Sequence, residues 1–196
     1  MTKNRLEAFS DGVLAIVITI MVLELKRPAR PEFGALIPLL PALLSYVLSF
    51  IYVGIYWNNH HHLCHATTHV NGAVLWANLH LLFWLSLFPF ATAWIGENHA
   101  MPAPTLAYGV VLLMAGIAYY LLQGAIIADQ GPSSPLRSAL GRDWKGKVSP
   151  VIYLVAIPLA LVNPWIAIGL YTLVAFLWIV PDRRIERFLR EHPVEG

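Results

Sequence analysis

Arg5-Leu6-Glu7-Ala8-Phe9-Ser10-Asp11-Gly12 runs directly into the apolar stretch Val13 to Leu25. Polar groups at a bilayer edge are costly, so an Arg, a Ser and an Asp placed there point to a site. The apolar run is a stripe of branched aliphatic residues carrying one hydroxyl, Thr19. Helical residues advance about 100° each. Relative to Ile16, Gly12, Thr19, Ile20 and Leu23 then fall within about 60° on one face, and Asp11 lies roughly 140° away. One face stacks aliphatic side chains; the other aims a carboxylate into the surrounding bundle. On periodicity alone the stripe is ordinary packing. It also fits a hydrophobic constriction, where a narrow apolar ring dewets and forces ions to shed water. The polar entry has two readings as well. Ser10 and Asp11 fit a helix-start cap with Arg5 snorkelling to headgroups, or a buried polar latch that anchors this helix.

Composition places the helix in a polytopic membrane protein. The 196 residues are 58% hydrophobic and 12% charged, with seven Trp. Soluble domains carry about 25% charged residues. A net charge of +2, and no Lys or Arg between Pro31 and Leu136, exclude a nucleic-acid surface there. The lone Cys64 permits no intrachain disulfide. The basic start lacks a small-residue cleavage site, unlike a secretory signal.

The expected fold is all-α: one six-helix transmembrane domain over 1–196. Its spans run at about Phe9–Leu25, Phe33–Trp57, Val70–Ile95, Thr105–Ala128, Val148–Val162 and Pro164–Val180. Asn163-Pro164 splits the last apolar region, because Pro lacks an N–H and the residue before it disfavours helix. One kinked span there would leave five and put the termini on opposite sides. Basic residues favour six. With a cytoplasmic N-terminus, that side holds Lys3, Arg5, Arg137, Arg142, Lys145, Lys147, Arg183, Arg184, Arg187 and Arg190, against Lys26, Arg27 and Arg30 outside. Both termini are thus expected in the cytoplasm, with a polar loop over Gly131 to Lys147 and an amphipathic interfacial tail over Pro181 to Gly196. No internal duplication is apparent, so a pathway would form between identical subunits.

Arg5-x-x-x-Phe9-Ser10-Asp11 followed by Gly12-Val13-Leu14-Ala15-Ile16-Val17-Ile18-Thr19-Ile20-Met21-Val22-Leu23-Glu24 closely resembles the signature of the transmembrane protein 175 family. These are endolysosomal potassium channels of animals and their prokaryotic relatives. Leu75-Trp76-Ala77-Asn78-Leu79-His80-Leu81-Leu82-Phe83, Ser86 to Thr92 and the stretch from His60 to His65 are also similar to it. The resemblance implies a potassium-selective channel without a carbonyl-lined filter, and no Thr-Val-Gly-Tyr-Gly occurs here. It implies that first helices line the pore. Ile16 would form the constriction, with Ile20 and Leu23 further along and Thr19 at a hydroxyl position tied to selectivity. Arg5, Phe9, Ser10 and Asp11 would stabilise the subunit through polar contacts with other helices. A single six-helix unit resembles the prokaryotic form, a homotetramer in the cell membrane. No cofactor is implied; potassium is the permeant species, with lipid as a further partner.

Other polar residues extend the expectations. Asn78 and His80 lie inside the third span, at the same membrane side as the latch, and are its expected partners. His61, His65 and His69 share a face if helix continues there, and could ligate zinc. No carboxylate adjoins them in sequence, so hydrogen bonding to neighbouring helices and modulation by pH are the expected roles. Glu24 fits either an outer mouth that concentrates cations or a pair with Lys26 or Arg27. The tryptophans near span ends fit an aromatic belt. A secondary transporter or proton-coupled carrier using Asp11 and His80 is the alternative function. It needs a midplane relay and usually an inverted repeat. An intramembrane metalloenzyme lacks paired carboxylates, His-Glu-x-x-His and a nucleophile pair. The chain is therefore not expected to be an enzyme.

Overall fold

The structure is a computed structural model that describes residues 2–67, 69–131, 134, 136–137 and 144–179. Among these residues the regular elements are helices: α1 (Lys3–Leu23), a 3-10 segment (Phe33–Leu39), α2 (Leu40–His65), α3 (Gly72–Ser86), α4 (Phe88–Glu97), α5 (Pro102–Gln130), α6 (Trp144–Val162) and α7 (Pro164–Ile179). Five segments are long and apolar enough to cross a bilayer: α1, the 3-10 segment with α2, α3 with α4, α5, and α6. The sixteen residues of α7 are also apolar and rise about 24 Å. The polar loop around Arg142, the Arg183–Arg190 basic group and the tail over 181–196 lie outside the described residues.

Prolines explain most departures from the expected spans. Pro38 and Pro41 sit at the start of the second span, which enters as a 3-10 segment and becomes α-helical only at Leu40. Pro89 has no N–H to offer one turn back, and its ring crowds that turn. The third span accordingly breaks at Leu87, whose N–H reaches Trp84 O at 3.3 Å. Asn163 separates α6 from α7; its side chain accepts the Trp165 N–H at 3.0 Å and caps the new helix. The larger difference is at the far end of α2. The helix does not stop near Trp57 but continues through His65.

Lipid is as apolar as leucine, so helix association rests on close packing and interhelical hydrogen bonds. Both are present. α5 packs against α3, α4, α6 and α7, and α1 lies on α2, α3 and α4. Ala115, Ala118, Ala156, Ala160 and Ala167 are fully buried, which lets α5, α6 and α7 approach. Tyrosines bind the interior. Tyr52 donates to Tyr171 O at 2.5 Å, Tyr153 donates to Tyr52 at 3.2 Å, and Tyr108 pairs with Ser49 at 2.8 Å. Thr92 donates to Ser49 at 2.7 Å, which brings α4 into the same network.

Among the described glycines, Gly109 leaves the least room for a Cβ. A Cβ there would lie 2.0 Å from Tyr171 Oη and 2.7 Å from its Cζ. Gly109→Ala is expected to lower stability by about 1–3 kcal/mol through overpacking. Thermal unfolding in detergent checks this beside Gly124→Ala, where an added Cβ meets nothing within 4 Å.

Candidate functional site: the first helix and its polar latch

α1 has two faces with different partners. Leu6, Ser10, Leu14, Val17 and Met21, spaced one turn apart, are buried against α2, α3 and α4. The opposite face is open. Ile16 is 57% exposed, Ile20 41% and Leu23 80%, with Gly12 and Thr19 exposed beside them. Thr19 donates its hydroxyl proton to Ile16 O at 2.9 Å. That bond occupies the hydroxyl proton and leaves the oxygen's lone pairs as acceptors. The open face is thus a row of aliphatic side chains with one exposed threonine.

The latch lies on the buried face, and the structure divides the four motif residues between the two faces. Ser10, fully buried, donates to Leu6 O at 2.9 Å and accepts from Asn78 Nδ2 at 2.9 Å. Asn78 Oδ1 meets His60 Nε2 at 2.8 Å. The Cys64 sulfur lies 3.6 Å from the other ring nitrogen of His60. One chain of hydrogen bonds therefore ties α1, α3 and α2 together at a place where all three polar side chains are buried. Asp11 is held separately, accepting from Trp57 Nε1 at 3.0 Å. Trp57 serves α1 directly rather than a membrane belt alone. Trp57→Phe is expected to cost about 0.5–1.5 kcal/mol, less than the loss of Asn78 from the buried chain; its melting temperature beside wild type measures this.

Arg5 and Phe9 do not join the latch within the subunit. Both are exposed on the side of α1 that carries Ile16, and Phe9 is 51% exposed. His80 also stays outside it: its Nε2 accepts from Trp84 Nε1 at 3.0 Å, one turn along the same helix. Asn78 is the partner, and His60 the member that composition could not single out.

The continuation of α2 brings a further group together. His61 Nδ1 lies 3.0 Å from Glu7 Oε1, and the His61 and His65 rings meet edge to face at 4.4 Å. One ligand atom from each of Glu7, His61 and His65 lies within 4.8 Å of the others. His69 follows the end of α2 and is not part of this group. At the other end of α1, Glu24 does not pair with Lys26. Lys26 instead meets Glu97 at 2.7 Å. The hydrogen bond and the charge of Glu97 hold the Lys26 ammonium above its ordinary pKa.

Residues 5–89 match the family described as the endosomal/lysosomal potassium channel TMEM175. A protein of Chryseobacterium sp. (strain P1-3) described as a potassium channel is 55% identical over 192 residues, covering 98% of this chain and all of that one. A Chamaesiphon minutus protein with the same description is 31% identical, covering 85% of this chain and 88% of its own length. The human protein described as endosomal/lysosomal proton channel TMEM175 is 39% identical over 75 residues, 32% of this chain and 15% of its own. The crystal structure of a lysosomal potassium-selective channel TMEM175 homolog from Chamaesiphon minutus superposes with a TM-score of 0.80 at 27% identity. It covers 93% of this chain and 97% of that one. The family match over residues 5–89, the 55% identity to a bacterial potassium channel over nearly the full length of both chains, and the superposition on a TMEM175 homolog agree: this chain belongs to the TMEM175 channel family.

Proposed function

We propose that this chain conducts potassium passively along an axis between identical subunits, and that the open face of α1 lines that path. The observation that carries the reading is the exposure of Ile16, Thr19, Ile20 and Leu23 on the face of α1 opposite the latch. A helix whose buried face is fully engaged still presents four exposed residues in register. Four copies around an axis would stack rings of Ile16, Ile20 and Leu23. Such rings favour potassium, which loses water at lower cost than sodium. Thr19, its proton held by Ile16 O, would offer its oxygen to a partly dehydrated cation. Glu24, exposed just beyond Leu23 and left out of the Lys26–Glu97 pair, would raise cation concentration at the outer mouth.

The assembly proposed is a homotetramer in the cell membrane, with both termini cytoplasmic. Arg5 and Phe9, exposed on the stripe side of α1, would then face a neighbouring subunit. The carrier alternative finds little support. Asp11 and His80 are each occupied by a tryptophan, and no hydrogen bond among the described residues joins them. Potassium efflux from vesicles holding the purified protein tests the reading. The expected flux runs down its gradient without saturating and moves no stoichiometric counter-proton. Slow saturable flux coupled to protons would replace the channel by a carrier.

A further inference from the structure

We infer that Glu7, His61 and His65 form a binding site for a borderline transition-metal dication of the zinc class, which clasps α1 to α2. Two imidazoles and one carboxylate are a zinc-type donor set; magnesium or calcium would call for oxygen alone. The histidines stand at i and i+4, so one helical face presents both rings. The carboxylate comes from a different helix, α1. Ligands about 2.1 Å from a tetrahedral zinc lie roughly 3.4 Å apart. His61 Nδ1 and Glu7 Oε1 already stand at 3.0 Å, and all three donor atoms fall within 4.8 Å. Shifts of a few tenths of an ångström to about an ångström, within reach of side-chain rotation, would close the site.

Access and charge agree with this. The His61 side chain is 43% exposed and that of Glu7 22%, so an ion can enter and water can fill the fourth position. Glu7 supplies the negative charge. Of its charged neighbours, Lys3 donates to His65 O at 3.4 Å and Asp11 is engaged by Trp57, so the two roughly cancel. Without metal, the His61–Glu7 contact is a single bond between two partly exposed groups, a weak link between helices. With metal, the same atoms become a cross-link at the base of α1, a few residues from the latch. The site rests on these contacts alone and stands whether or not α1 lines an ion path.

Calorimetric titration of zinc chloride into the tag-free, detergent-purified full chain tests the site. One zinc per subunit is expected to bind and to raise the melting temperature. His61→Ala and Glu7→Gln are each expected to weaken binding by about 100-fold or more, exceeding the loss of an outer-sphere partner. Their melting temperatures without zinc should stay near wild type. His69→Ala should bind as wild type does. His65→Cys, which replaces imidazole by a thiolate, should retain zinc and gain affinity for cadmium, whereas His65→Ala should lose both. Absence of saturable binding overturns the site. So does zinc affinity that His61→Ala leaves unchanged, or that His69→Ala abolishes.

Discussion

Asn78→Ala is expected to destabilise the subunit by about 2–3 kcal/mol, more than any other single truncation in the latch. The Asn78 side chain donates to Ser10 and meets His60, and both partners are no more than 1% exposed. Removing it strands two buried polar groups, each at about 1–3 kcal/mol. Hydrogen bonds between membrane helices average nearer 0.6 kcal/mol, because the alternative state also finds partners, and this pulls the sum toward the lower part of the range. Ser10→Ala should cost about half as much. It removes one hydroxyl that also has a local acceptor, Leu6 O. His80→Ala should cost less still, since His80 bonds only within its own helix among the described residues. Thermal unfolding in detergent ranks the three. Because the latch positions α1, Asn78→Ala should also broaden the distribution of single-channel current levels, which a merely local packing defect would leave alone. A neutral Asn78→Ala would mean that α1 is held by its apolar face.

How far the chain could be read without coordinates differs from element to element. Apolar runs revealed the spans, and Asn163-Pro164 the last break, because hydropathy and proline are local signals. The two faces of α1 were also legible, since they follow from helical pitch acting on Ile16, Thr19, Ser10 and Asp11. The end of α2 was not. Asn58, Asn59 and three histidines end an apolar pattern, yet the helix persists, because those polar groups find partners on α1, α3 and α5. His60 meets Asn78, His61 meets Glu7, and the Asn59 backbone carbonyl accepts from Tyr119 while its side chain donates back to Ile55 O. Nothing local to residues 58–65 contains that information. The tyrosine network was equally hidden. Tyr52 and Tyr171 meet across 119 positions of sequence, and each alone reads as one more apolar residue. Arg5 shows how helical pitch separates neighbours in sequence. Its neighbours Ser10 and Asp11 are buried or half-buried, but Arg5 lies about 500° upstream of Ser10 around the helix, on the face that carries the stripe.

The second large expectation concerns Ile16, a residue 57% exposed on the open face. If four copies of this side chain close the path, its size decides how much water a cation must lose. Ile16→Ala removes most of the ring and should raise conductance while sodium permeability rises toward that of potassium. Ile16→Asn lines the same point with amides that can replace lost water for either ion, and should equalise the two further. Each tenfold fall in the potassium-to-sodium ratio corresponds to about 1.4 kcal/mol of lost discrimination. Neither variant should affect folding, because the side chain makes no part of the buried core. Ile20→Ala and Leu23→Ala report whether the rings act together, with smaller effects expected if Ile16 is the narrowest.

Planar-bilayer recording of the purified protein under bi-ionic potassium and sodium, wild type beside Ile16→Ala and Ile16→Asn, tests the central claim most directly. The account predicts a reversal potential that favours potassium in wild type and collapses toward zero in both variants, with larger unitary current. Reversal potentials and conductances unchanged by either substitution would place the ion path elsewhere and return the Ile16–Ile20–Leu23 stripe to lipid or packing.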